Sequence, residues 1–422
     1  MALCRSVVRW LAKAHESHFT LPDMTTNRTK IGIIFFTIFI DLVGFGIVIP
    51  VLPRYAEHFG ATPWEIGWLV GIFSLAQFVC SPLWGQLSDR IGRKPVLVVS
   101  TLGTAVGFFL MGWAGTLWIL FAARLLDGIS GGNIGTAQAY IADISAPEER
   151  SKRMGIIGAA FGLGFIFGPA IGGLMATHYG YGAPMLLAGG MAVANSVLII
   201  LILPESLPPE KRQKGPKEPL FPTLFEHVER RTYFTVVSTY FLMIAGFSLM
   251  TALFALFLWH RYDLDARHTG NILALIGLIG AFIQGGLIGR LSKRFGDAHL
   301  ASAGALLLGA GLLSLPFTTT VSLMIWACVL VAIGNSLMMP TLSAITSRSA
   351  EQEWQGRALG VMQSAGSLAR WIGPVVAGIL LPLDIGSGKS AYARTPFLAA
   401  AGLLALAFLL SMWLPKNIKA KP

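Results

Sequence analysis

Three ionisable residues stand in stretches that are otherwise apolar: Asp41 in "FIDLVGFG", and Arg124 and Asp127 in "ARLLDGIS". An ionisable side chain at the centre of a bilayer costs about 3 kcal/mol or more, so each needs a partner or a task. The i, i+3 spacing of Arg124 and Asp127 puts them on one helical face, and with Asp41 they make two acids around one cation. Making or breaking contact with a single guanidinium changes how readily a carboxyl holds a proton, so the trio could act as a proton-handling device. The alternative is an ion pair that pins the first helix to the fourth and contributes specificity rather than stability. Arg370, in "SLARWIG", is the other deep cation and has no evident intramembrane acid in its own half. It either pairs across to Asp41 or Asp127, receives an anionic group of a ligand, or snorkels outward to headgroups or water near Asp384.

The elements that would position these charges are set by hydrophobicity. Of the 422 residues 54% are hydrophobic and only 13% charged, more apolar surface than a soluble chain can bury. Apolar stretches of membrane-spanning length recur at 31–53, 66–87, 95–113, 116–142, 154–177, 183–203, 232–259, 268–289, 298–316, 320–346, 356–381 and 395–414. The expected fold is an all-α membrane protein of twelve transmembrane helices. At 1.5 Å per residue Asp41 lies about 15 Å deep, Arg124 and Asp127 about 12 and 17 Å, and Arg370 about 21 Å. Alternating gaps place 25 of the 32 Lys and Arg on one side and 5 on the other, the remaining two being Arg124 and Arg370. Cations stay cytoplasmic, so both termini are expected inside.

That topology accounts for the net charge of +11 without nucleic acid, and a basic face against anionic lipid is the simpler reading. Residues 1–30 read as a cytoplasmic tail, either weakly amphipathic and transit-like, or disordered, or an extension upstream of a start at Met24. Cys4, Cys80 and Cys328 are too scattered for disulfides or zinc, and "HESH" at His15 to His18 lacks the spacing of a zinc-protease helix. There is no phosphate-binding loop, no nucleophile with a base, and no expected metal or cofactor; an enzyme is not indicated.

Repeats organise the chain. Ser88 to Gly92, "SDRIG", is echoed by Ser292 to Gly296, "SKRFG", and Gly168 to Gly173 by Gly373 to Gly378, at offsets of 204 and 205. Glu148 and Gly155 map in the same way onto Glu353 and Gly360. Two pseudo-symmetric six-helix bundles, 31–203 and 232–414, are therefore expected, joined by the polar linker 204–231 and followed by a tail at 415–422. Duplicated bundles place a binding site between halves that rock against each other. Gln363, Phe247 and Asn335, with Arg370, are the weaker candidates for that cavity, since most deep polar and aromatic residues only join helices.

Three motifs resemble one family. "GQLSDRIGRK", with Gly85, Asp89, Arg90, Gly92, Arg93 and Lys94, resembles the loop signature between spans two and three of the major facilitator superfamily. Arg124 resembles that family's fourth-span arginine, with Asp127 where glutamine is usual. "GFIFGPAIGG", with Gly164, Gly168, Pro169, Gly172 and Gly173, is similar to the antiporter motif of span five. The opening "DLVGFGIVIPVLPRY" and "AYIADISAPEERSKRMG" resemble tetracycline efflux pumps and related drug/proton antiporters, although spans three and nine lack the acids those pumps carry. The resemblance implies the major facilitator fold and proton-driven export of small amphipathic molecules from a bacterial inner membrane, by a monomer whose partners are substrate, protons and lipid. It also implies a conformational latch in which Arg93 bridges Asp89 to Asp143 and Asp89 meets the start of span eleven. The rivals are a metabolite or organic-anion carrier of the same fold and a non-transporting membrane receptor.

Overall fold

The computed structural model describes residues 27–145, 147–212, 224, 226–351 and 354–415. Most of the expected tail at 1–30, the middle of the linker, Glu353 and residues 416–422 lie outside the described residues. The described chain forms fourteen α-helices and no strand: α1 Asn27–His58, α2 Pro63–Ile91, α3 Arg93–Gly112, α4 Leu117–Ser130, α5 Asn133–Asp143, α6 Pro147–Tyr179, α7 Gly182–Ile202, α8 Arg230–Tyr262, α9 Ala266–Phe282, α10 Ile288–Phe295, α11 Asp297–Ser314, α12 Val321–Arg348, α13 Gln355–Leu380 and α14 Arg394–Ser411. Ten helices among the described residues are long and apolar enough to cross a membrane.

Local chemistry sets several boundaries. Thr62 and Glu65 form a reciprocal cap at the start of α2, Thr62 Oγ1 accepting from the Glu65 amide at 3.4 Å and Glu65 Oε2 from the Thr62 amide at 2.8 Å, with Pro63 in the first turn. Gly92 separates α2 from α3 at φ 107°, a backbone that an L-residue rarely adopts, and a methyl group there would meet the Glu205 carboxylate. A π-helical turn at Ile283–Leu287 carries the eighth expected span on to Phe295, past its expected end at 289.

The fourth expected span, 116–142, is not continuous: α4 ends at Ser130 and α5 starts at Asn133, with Gly131 and Gly132 between them. Adjacent glycines weaken a helix, and here other helices supply partners for the freed carbonyls, as a membrane interior demands. Trp84 Nε1 donates to the Ile129 carbonyl at 2.5 Å, Gln77 Nε2 to that of Gly131 at 3.3 Å, and Ser100 Oγ to that of Ser130.

The first-half and second-half helices meet along α2 against α13 and α6 against α9. These contacts are tight toward the end that carries Arg54 and His260. A methyl on Gly378 would fall 3.2 Å from Trp64 Cα, and one on Gly277 2.9 Å from the Phe165 carbonyl. Toward the end that carries Arg93, Gly85, Gly285, Gly286, Gly289, Gly356 and Gly360 have open space around them. The halves are thus closely packed at the Arg54 end, while at the other, the open end, these glycines have no neighbour within 4 Å.

Candidate functional site

The deep charges of the first half form one cluster. Asp127 sits a turn after Arg124 on α4, and Arg124 Nη1 donates to Asp127 Oδ2 at 3.1 Å, with both residues at most 5% exposed. Thr104 of α3, itself buried, lies beside the same carboxylate. The Arg124 guanidinium lies 4.5 Å over the ring of Phe73, which lies 5.8 Å from Phe45, one turn along α1 from Asp41. Asp41 is close enough to Asp127 for the two charges to interact. Two acids and one cation therefore share a water-poor cluster, an arrangement in which gain or loss of one proton changes the local charge balance. Thr104 and Phe73, on α3 and α2, were not legible as members, since neither is close to Arg124 in sequence.

In the second half, Gln363, Ser367 and Arg370 follow one another along a single strip of α13. Arg370 Nη2 donates to Ser367 Oγ at 3.0 Å, and Gln363 Oε1 accepts from the Tyr240 hydroxyl of α8 at 3.2 Å. Arg370 has no carboxylate in salt-bridge range among the described residues. Phe247 on α8 is half-buried against the main apolar core, and Asn335 is half-buried on α12; no described contact joins either of them to Gln363. Tyr240, which sequence reasoning passed over, is the residue that fixes the Gln363 amide.

At the open end, Arg93 binds two acids at once, Asp89 Oδ1 at 2.6 Å and Asp143 Oδ2 at 3.1 Å, and donates to Ser88 Oγ at 2.7 Å. Lys94 reaches the Ile200 carbonyl at 2.8 Å, and Arg90 points to solvent. Glu205, from the start of the linker, accepts the backbone amides of Arg93 and Lys94 at 2.8 and 3.2 Å, and Ser206 donates to Asp143 at 2.9 Å. The motif is thus fastened to the linker, which its sequence did not signal.

Gly164, Gly168 and Gly172 repeat every fourth residue on α6 and lie against α1 at Leu42, Val43 and Ile47; a methyl on Gly168 would fall 2.6 Å from the Val43 carbonyl oxygen. Gly173 and Pro169 meet α9 at Ala266 and Gly270. The closed end is held by charge and aromatic contacts across the halves. Glu57 Oε1 lies 2.6 Å from His260 Nε2, the Arg54 guanidinium lies 3.6 Å over Trp259, and Trp68 and Trp371 stack edge to face at 5.7 Å. A recess of about 540 Å³ opens beside Glu57 and His260, at that end and away from the deep charges.

The Major Facilitator Superfamily profile matches residues 34–374 and, in a second match, 285–422. The chain belongs to the Major Facilitator Superfamily. This superfamily member is a multi-pass integral membrane transporter and not an enzyme. It is 34% identical to the class C tetracycline resistance protein of Escherichia coli, over 84% of the chain and 89% of that protein. It is 30% identical to multidrug resistance protein 1 of Bacillus subtilis (strain 168), over 94% of the chain and all of that protein. Among solved structures, the human organic anion transporter MFSD10 (TETRAN) superposes with a TM-score of 0.67 at 26% identity, covering 92% of the chain and all of that structure. A bacterial homolog of the human lysosomal transporter Spinster, inward-facing and unoccupied, has a TM-score of 0.76 at 16% identity, covering 91% and 96%, which speaks to fold alone.

Proposed function

We propose that this transporter exports small amphipathic molecules in exchange for protons, by alternating access between two six-helix bundles, 31–203 and 232–414, with twelve spans, the linker 204–231 and both termini cytoplasmic, as a monomer in a bacterial inner membrane. The observation that carries the reading is the buried Arg124–Asp127 pair at 3.1 Å with Asp41 in electrostatic range, deep within the first-half helices. In this reading the open end is cytoplasmic, where cations are concentrated, and the conformation is inward-facing. Asp41 and Asp127 carry the proton, and Arg124 discriminates between their charged and neutral forms. Arg93, Asp89 and Asp143 form the cytoplasmic latch, and the Glu57–His260 and Arg54–Trp259 contacts close the outer face. The glycine face of α6 lets α1 and α9 slide closely past it.

Similarity to relatives named for tetracycline and multidrug resistance supports export as the direction. A carrier of organic anions is the second reading, supported by Arg370, which has no acidic partner among the described residues. In proteoliposomes with an imposed pH gradient, Asp127→Asn is expected to fold and bind cargo yet lose gradient-driven accumulation by about a hundredfold, as loss of an essential proton carrier requires. Accumulation equal to that of the unaltered protein would remove the proton role, and flux indifferent to the gradient would favour the second reading.

A further inference from the structure

Cations are scarce at the end of the molecule that carries Arg54 and His260. Only five of the 32 Lys and Arg fall in its loops, and two of the five, Arg261 and Arg394, come together there from distant parts of the chain. Their meeting point is the mouth of a groove on the outside of the second half, away from the deep charges of α1 and α4. We infer that this groove is a binding site for an anionic glycerophospholipid, the two guanidiniums holding the headgroup phosphate and the groove an acyl chain.

The groove, about 550 Å³ in volume, runs between α11 and α12. Leu313 of α11, Phe317 in the turn, and Leu323, Trp326 and Leu330 of α12 line it, and all but Leu330 are at least half exposed. Leu323, Trp326 and Leu330 recur every three or four residues and so share one face of α12. Leu330 lies nine residues into α12, about 14 Å along its axis, close to half of the roughly 30 Å hydrocarbon core and so to the depth of one leaflet. The two hydroxyls in the groove are turned back onto their own chain: Ser314 Oγ donates to the Ala310 carbonyl and Thr318 Oγ1 to that of Leu315, each at 2.7 Å. An apolar slot remains, and inside a bilayer it holds a tail by van der Waals packing. Every phospholipid offers such a tail, so selection among lipids falls to the polar end.

At that end Arg394, the first residue of α14, places its guanidinium 5.1 Å over the Phe317 ring. Arg261, near the end of α8, donates from Nη2 to the Thr318 carbonyl at 2.6 Å and from Nη1 to the Ser390 carbonyl. Phe317 and Thr318 both line the groove, so the two cations border one mouth. Neither has a carboxylate in salt-bridge range among the described residues. The acids of the adjoining loops are engaged elsewhere, Asp263 with Lys389 at 2.9 Å, and Asp384 with the amide and hydroxyl of Thr395, both at 2.7 Å. Two guanidiniums without acids above a slot of leaflet depth match the two ends of an anionic phospholipid, since a guanidinium binds phosphate through parallel N–H donors. A zwitterionic lipid brings its own ammonium to the phosphate and gains less from them.

Brominated acyl chains quench the tryptophans they touch, and Trp326 stands in the groove. The purified full chain in detergent is titrated with brominated phosphatidylglycerol or brominated phosphatidylcholine, and the Trp326 signal is the difference between each protein with and without Trp326→Phe. Half-quenching of Trp326 is expected at a mole fraction of phosphatidylglycerol at least about tenfold lower than of phosphatidylcholine, each cation contributing several-fold. Arg394→Gln should cut the preference to about threefold, and Arg261→Gln together with Arg394→Gln should abolish it. Unchanged quenching of the remaining tryptophans establishes that these variants are folded. Arg394 donates no hydrogen bond among the described residues, so its single variant decides the matter where loss of the Arg261 bonds disturbs the turn. Equal quenching of Trp326 by the two lipids would leave it an interfacial belt residue indifferent to headgroup charge and overturn the inference. So would a preference of the same size in the remaining tryptophans, which reports only the net charge of +11, or one that survives both substitutions.

Discussion

At the start of α3, Arg93 holds Asp143; 204 residues later, at the start of α11, Asp297 holds Arg348, the counterpart of Asp143. The ion pair is kept and its polarity is reversed. The serine one turn earlier is retained because a hydroxyl serves either polarity: Ser88 Oγ accepts from Arg93 at 2.7 Å, and Ser292 Oγ donates to Asp297 at 2.5 Å. The reversal has a cost in the first half alone. A cation in the first turn opposes the helix dipole while an acid there complements it, and Glu205 offsets the difference by accepting the first amides of α3. The first half also has a third charge, Asp89, where the second has the exposed Lys293. What both halves share holds the loop to its neighbours; what only the first half has, Asp89 and the tie to Glu205, is free to serve gating.

The largest expected effect that would break this comparison is at Arg93, which is 8% exposed and binds two acids. Arg93→Ala should cost about 3 kcal/mol in detergent unfolding and abolish transport, whereas Asp297→Asn, whose partner Arg348 is 39% exposed, should cost about 1 kcal/mol. Equal losses at the two sites would make the halves equivalent. Asp89→Asn sharpens the distinction: transport is expected to slow by about tenfold with stability changed by less than about 1 kcal/mol, because Asp143 still compensates Arg93. A stability loss as large as that of Arg93→Ala would make Asp89 a structural partner. Smallest is Glu205→Gln, expected to lower stability by about 1 kcal/mol through the lost helix cap and to leave the half-saturating cargo concentration of gradient-driven transport unchanged. A change in cargo affinity would connect the linker to the cavity instead.

Hydropathy placed most helices within a few residues, because lipid imposes length and composition on any span. The cluster of Asp41, Arg124 and Asp127 was legible because deep charges are rare. The break at Gly131–Gly132 was not: its sequence reads as one apolar run, and Gln77, Trp84 and Ser100, which satisfy it, come from α2 and α3. The mirror pair Asp297–Arg348 escaped because a search for repeats rewards identity, and exchanging a cation for an anion on both sides preserves the contact while erasing the match. Glu205 was hidden in a linker whose composition gave no sign that it caps α3. Tyr240 and Thr104 were invisible for a similar reason, each being fixed by a neighbour far away in sequence.

The interruption between α4 and α5 turns one membrane crossing into two rods with an articulation between them. Arg124 and Asp127 lie on one rod, and Asp143, which grips Arg93, terminates the other. A continuous helix would force both ends to tilt together; a jointed one lets the segment at the rim swing while the buried segment keeps its place. The three donors that hold the joint come from α2 and α3, the pair of helices connected by the Gly92 loop, so a bend there would be passed on to both helices that flank Arg93.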